Sequence, residues 1–166
     1  LVDMVRKGEI DTAILALPFA TQGLLRFDFW EEDFYWVTQT DDPLANQEHI
    51  TSTEFDQQAL LLLKDGHCLK DHALAACKFS VTSQPFSVGA TSLNTIMPMV
   101  AAGMGTTMVP EMALDQLVRP HPELRAVHLN ESSPHRTIAF LVRPGYAALN
   151  SIERLMVLFK RTLEKP

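Results

Sequence analysis

The chain has 166 residues, 46% of them hydrophobic and 20% charged, a balance that suits an ordinary folded protein of one domain or two small lobes. No apolar run approaches the ~20 residues of a membrane span, and no secretory leader opens the sequence. Twenty acidic against fourteen basic residues leave a net charge of −6, which argues against this chain alone gripping a phosphate backbone.

In chain order, Leu1 to Lys7 reads as the last turns of an amphipathic helix closed by Gly8, so the chain is expected to be a fragment starting inside an element. Glu9 to Leu17 follows as a strand stopped by Pro18. Gly23 to Trp30 alternates as a strand and Phe34 to Gln39 is a second, with the acidic Glu31-Glu32-Asp33 predicting a surface crossing between them. After a loop at Asp41-Asp42-Pro43, Thr51-Ser52-Thr53-Glu54 has capping-box spacing for a short helix before an apolar strand from Ala59 to Leu63.

Leu69 to Lys78 is rich in helix formers and predicts a helix. Pro85 to Val88 reads as a strand, and Thr91 or Ser92 caps a helix ending at Gly103, with Pro98 predicting a kink or a shortened first half. Thr106 to Val109 is a strand closed by Pro110, Glu111 to Leu117 a helix, and Arg119-Pro120-His121-Pro122 a loop. Leu124 to Leu129 and Thr137 to Val142 are strands. Asn150 to Glu164 closes the chain as a helix with Ile152, Leu155, Met156, Phe159 and Leu163 on one face. The alternation predicts α/β layers around a largely parallel sheet.

Both cysteines lie in Lys64 to Cys77, and their placement sets a geometric problem. On a continuous helix, nine residues advance about 13.5 Å and end half a turn out of alignment, whereas a disulfide needs Cα atoms within about 7 Å. If Cys68 and Cys77 ever join, the helix must come apart. Two readings stand at this point. Such a pair is either a set of inert core thiols or a redox switch that stores oxidation as a change of fold. Gly66 frees the backbone before the helix, Cys68 sits at its N-terminus where negative charge is favoured, and His67 and Lys70 add positive potential. Two cysteines without a leader fit a reducing cytoplasm. The hydroxyls of Thr91 and Ser92 at the next helix N-terminus either cap it or hold an anionic ligand.

Gly8-Glu9-Ile10-Asp11-Thr12-Ala13-Ile14-Leu15, Asp42-Pro43-Leu44-Ala45, Thr91-Ser92-Leu93, Met99 to Gly105 and Val109-Pro110 together resemble the effector-binding domain of LysR-type transcriptional regulators. Within that family the run Leu61 to Asp71, with Cys77 nine residues after Cys68, resembles the hydrogen-peroxide sensors. The resemblance covers nearly the whole chain.

It implies an α/β fold of two periplasmic-binding-protein-like lobes. The first lobe takes residues 1–31 and 138–166 and is incomplete at its N-terminus; the second takes 32–137 and carries the redox-active segment 64–80. By the same resemblance Cys68 is the peroxidatic cysteine, Cys77 the resolving one, and His67 and Arg136 are peroxide-pocket residues. The implied partners are hydrogen peroxide, a second copy in a dimer or tetramer, thiol reductants such as glutaredoxin, and promoter DNA through an N-terminal domain this sequence lacks. Pocket threonines that the family supplies from the same N-terminal part would also be missing. No cofactor or membrane is implied. Pro98 departs from the family pattern.

Three other functions compete with this one. A metal site from His67, Cys68, His72 and Cys77 conflicts with helical geometry. A small organic effector held between lobes at Thr91 and Ser92 is the main alternative. An enzyme would need a paired acid and base, which the sequence does not offer.

Overall fold

The computed structural model describes residues 1–64, 68–78 and 90–164. Helix α1, Val2–Lys7, carries Asp3 in its first turn and Arg6 and Lys7 in its last, and ends at Gly8, whose φ of 73° is the left-handed conformation that glycine adopts without strain. That turn occupies the residues expected to open the next strand, so β1 begins only at Thr12 and runs to Leu17. β2, Leu25–Glu32, and β3, Phe34–Gln39, are separated by Asp33 alone. The predicted surface crossing is corrected at Glu32, which is buried and accepts the Met112 N–H at 3.0 Å.

The capping box at Thr51 forms without a helix. The Thr51 N–H and hydroxyl both donate to Glu54 Oε2, at 2.6 and 2.7 Å, but they close a turn, and the next helical residues are a single 3-10 turn, Gln57–Ala59, capped by Asp56. Nor does the expected strand from Ala59 to Leu63 form as a full strand. Leu60 makes an isolated parallel bridge with Thr106, and Leu60 to Leu63 are all buried, so burial on every side produced the apolar run. A two-residue strand that the sequence did not suggest, β4, His49–Ile50, lies ahead of it.

Helix α2, Cys68–Ala76, and α3, Leu93–Ala101, follow. The strand predicted at 85–88 lies outside the described residues. Pro98 stands inside α3; lacking an N–H, it leaves the Asn94 carbonyl without its i+4 donor. β5 is Thr107–Pro110, a 3-10 turn at Glu111–Ala113 leads into α4, Leu114–Leu117, and then come β6, Leu124–Leu129, β7, Arg136–Val142, and α5, Leu149–Leu163.

The chain divides into two compact units, Leu1–Glu31 with Arg136–Pro166, and Glu32–His135. The first holds a sheet in the order β1-β7-β2, with Thr12 opposite Val142 and Leu17 opposite Thr137. Phe29, Phe140 and Ile152 anchor its core, against which Met156, Phe159 and Leu163 of α5 pack. Leu155, expected on that face, is exposed together with Val157 and Leu158. The second unit holds a sheet in the order β4-β6-β3-β5.

The largely parallel sheet is corrected too. The pairs β1/β7, β3/β5 and β3/β6 are antiparallel, and β4/β6 is parallel. The physical reason is strand pairing. Alternation of helices and strands along the chain leaves strand direction open; direction follows from which strands pair, and β3 runs against both of its neighbours, β5 and β6.

Candidate functional site

The floor beneath α2 is built from the second unit's sheet and the buried 60–63 segment. Phe34, Trp36, Ile50, Phe55, Leu60, Leu62, Met108, Val127 and Leu129 share one core cluster with Ala73, Ala76 and Cys77. Small residues on the inner face let the helix lie close to this aromatic floor, with Leu69 and Leu74 packed at its margin. Gly105 makes the floor possible, because a Cβ there would stand 2.3 Å from the Ala59 carbonyl oxygen. Just before the helix, the Lys64 N–H donates to the Ala90 carbonyl at 2.9 Å. Lys64 and Ala90 are therefore held together.

The cysteines are unlike each other. Cys68 is the first residue of α2 and is exposed; Cys77 is buried, and both are free thiols. Burial, aided by the nearby Glu131 carboxylate, pushes the Cys77 thiol up to about 12, so it is protonated at neutral pH. Helical hydrogen bonding reaches Cys77, whose N–H donates to the Ala73 carbonyl at 3.1 Å. Nine positions apart in helical geometry, Cys68 and Cys77 have backbones separated by about 13.5 Å along the axis. That distance also keeps Cys77 from sharing a metal ion with Cys68. His72, one turn after Cys68, is buried.

His67 lies outside the described residues. Arg136 opens β7 and belongs to the first unit, where its side chain is half-buried. Thr91 is exposed, and the Ser92 hydroxyl is engaged as the cap of α3, accepting the Asn94 N–H at 3.1 Å. Ser92 therefore serves the helix first.

Two polar clusters were not anticipated. At the C-terminal end of α2, Lys78 takes φ of 51°, and its ammonium lies 3.3 Å from Glu131 Oε2. The other oxygen of Glu131 accepts the Ser52 N–H at 3.0 Å and the Ser52 hydroxyl at 2.7 Å. Those two bonds, with a smaller share from Lys78, hold the Glu131 carboxyl below the usual range.

The second cluster surrounds Asp33. Ser133 Oγ donates to its Oδ1 at 2.7 Å, His128 Nε2 lies 3.0 Å from Oδ2, and the His135 N–H reaches Oδ1 at 3.3 Å. Burial pushes the Asp33 carboxyl up, but these hydrogen bonds outweigh it and keep it low. His135 accepts the Phe34 N–H through Nδ1 at 2.8 Å, which places its proton on Nε2 and makes the ring neutral. Burial drives its pKa down, and His128 adds to this, against the opposing pull of Asp33 and Glu131.

A pH prediction follows from the sign of that shift. Below the ordinary histidine value of about 6.5 the unfolded chain takes up a proton that buried His135 refuses, so stability rises with pH through this window and falls on acidification, by at most about 1.4 kcal/mol per pH unit. Asp33 has a depressed pKa, and its contribution is lost only at lower pH. His135→Gln keeps an acceptor for Phe34 and should flatten the slope of urea-measured stability between about pH 6.5 and 5; an unchanged slope would remove His135 from the account.

Comparison with known proteins gives the family. The LysR substrate binding domain matches residues 1–164. HTH-type transcriptional regulator EstR of Acinetobacter baylyi is 32% identical over 97% of this chain and 53% of its own length. The DNA-binding transcriptional dual regulator OxyR of Escherichia coli is 31% identical over 93% of this chain and 50% of its own length. The OxyR2 E204G regulatory domain from Vibrio vulnificus superposes with a TM-score of 0.83 at 31% identity, over 97% of this chain and 77% of that one. The chain spans about half the length of the curated relatives it matches. It belongs to the LysR substrate binding domain family, with the α/β fold of that family.

Proposed function

We propose that the chain is the peroxide-sensing regulatory domain of an OxyR-like transcription regulator. The observation that carries this reading is the asymmetry of the two thiols, one exposed at the start of α2 and the other buried and protonated at its end. Cys68 attacks a peroxide oxygen as the thiolate, leaving a sulfenic acid and releasing hydroxide. Cys77 then leaves the core and condenses with it, forming the disulfide and water. His67 and Arg136 orient the peroxide and stabilise charge in this scheme.

Residues 1–31 with 138–166 and residues 32–137 act as the two regulatory lobes. In the whole regulator, self-association and promoter binding through an N-terminal DNA-binding domain transmit the change in α2, and cytoplasmic thiol reductants such as glutaredoxin reset it. The similarity to OxyR regulatory domains of known structure supports this scheme. Thiol counting with intact mass measurement after one equivalent of hydrogen peroxide tests it. Loss of both thiols with two hydrogen masses is expected, and two unreacted thiols would refute it.

A second reading rests on the exposed Thr91 beside the capping Ser92, where a small organic effector would be held. A melting temperature raised by small carboxylates, with no thiol loss under peroxide, would support that reading instead.

A further inference from the structure

Lys78 is the one non-glycine among the described residues with a positive φ, at 51°. Such a backbone persists where its surroundings over-determine it, and here they do so from three sides. The Lys78 N–H donates to the Ala75 carbonyl at 3.1 Å, its ammonium meets Glu131 at 3.3 Å and Ser132 Oγ at 3.2 Å, and Glu131 is itself fixed through Ser52. The Lys78 side chain is 62% exposed and contributes little by itself. The strong member is Glu131, only 13% exposed and oriented by two bonds from buried Ser52. The residue thus clamped is the immediate neighbour of Cys77.

We propose that Lys78 and Glu131 form a latch that holds Cys77 in the helix and slows the second, disulfide-forming step; this rests on the peroxide-sensing reading above. In that step the Cys77 sulfur attacks the sulfenic sulfur of Cys68. The S–S bond forms, the S–O bond breaks, and the Cys77 proton leaves with the hydroxyl as water. The oxidant is the peroxide already reduced at Cys68 in the first step. Cys77 cannot cover the distance unless the last turn of α2 opens, and that turn opens only when Lys78 leaves Glu131. The Glu131 carboxylate acts in the same direction by keeping the neighbouring thiol protonated. The latch lengthens the life of the sulfenic acid, so after a brief pulse of peroxide the thiol reductants return Cys68 to the thiol before the fold changes.

The test separates the two steps in the full chain. Cys68 sulfenic acid is trapped with a dimedone probe, and disulfide formation is followed by quenched mass spectrometry after a peroxide pulse. Glu131→Gln is expected to leave the rate of sulfenic acid formation unchanged and to speed its conversion to disulfide by about threefold to tenfold, the scale of losing a charge-assisted contact at a partly exposed site. Lys78→Met should speed it less, because the carboxylate remains, and Lys78→Arg should restore the original rate. Equal conversion rates in all four proteins, or both steps shifting together, would overturn the latch while leaving the sensor intact. Failure to trap any sulfenic acid at Cys68 would overturn both.

Discussion

Cys68→Ser is expected to abolish peroxide-dependent loss of thiol altogether, whereas Cys77→Ser should still form a sulfenic acid at Cys68 that then proceeds to the sulfinic state. The inequality follows from environment. Cys77 is buried and its thiol is held up at about 12, so almost none of it is thiolate at neutral pH, and peroxide has no open path to it. Cys68 is exposed where a helix begins, the end at which anions are stabilised. Without its partner, the Cys68 sulfenic acid has no thiol to condense with and stays open to further oxidation. Mass shifts on the two cysteine peptides at rising peroxide give the readout, and equal reactivity of both cysteines would defeat the assignment.

Trp36→Ala should be the most destabilising change in the second unit, costing about 3–5 kcal/mol against a typical total of about 5–15. Trp36 is 1% exposed, stacks on Phe55 at a ring separation of 5.5 Å, and belongs to the cluster that receives Ala73, Ala76 and Cys77. The cavity would therefore open beneath the inner face of α2. Alkylation of Cys77 by a thiol reagent should accelerate along with the loss of stability in urea. A stability within about 1 kcal/mol of the original would show that the aromatic floor does not bear the helix.

How much of this was legible depended on range. Elements specified by local signals emerged close to their expected bounds. Gly8 closes α1, Ser92 caps α3, and β3 and β6 keep their expected bounds, Phe34–Gln39 and Leu124–Leu129. The motifs Gly8 to Leu15, Asp42-Pro43-Leu44-Ala45, Thr91-Ser92-Leu93, Met99 to Gly105 and Val109-Pro110 pointed to the family that the comparison found.

Errors arose wherever tertiary partners decided the outcome. The capping-box chemistry of Thr51 and Glu54 is satisfied in a turn as well as in a helix, so its spacing could not tell them apart. Leu60 to Leu63 look like a strand because they are buried on all sides, yet an apolar run carries no information about pairing. Glu32 was placed at the surface by its charge, while its partner Met112 stands 80 positions later. The Glu131 contacts with Ser52 and Lys78 have the same character. Each residue looks like ordinary surface polarity until the fold brings them together.

In the proposed sensor, α2 holds the two cysteines apart and joining them requires the helix to unwind. Closing so short a loop contributes about 3 kcal/mol of constraint. Against this stand the lost helical hydrogen bonds, at about 1 kcal/mol each, and the withdrawal of Cys77 and Ala76 from the core. The two states should therefore be close in free energy, as a reversible switch requires. Hydrogen exchange on the amides of Ala73 to Lys78, measured in the reduced protein and in the Cys68–Cys77 disulfide form, tests this most directly. The Cys77 N–H bonded to Ala73 and the Lys78 N–H bonded to Ala75 should be protected when reduced and should exchange freely when oxidised. Equal protection in the two forms, with the disulfide confirmed by mass, would contradict the account.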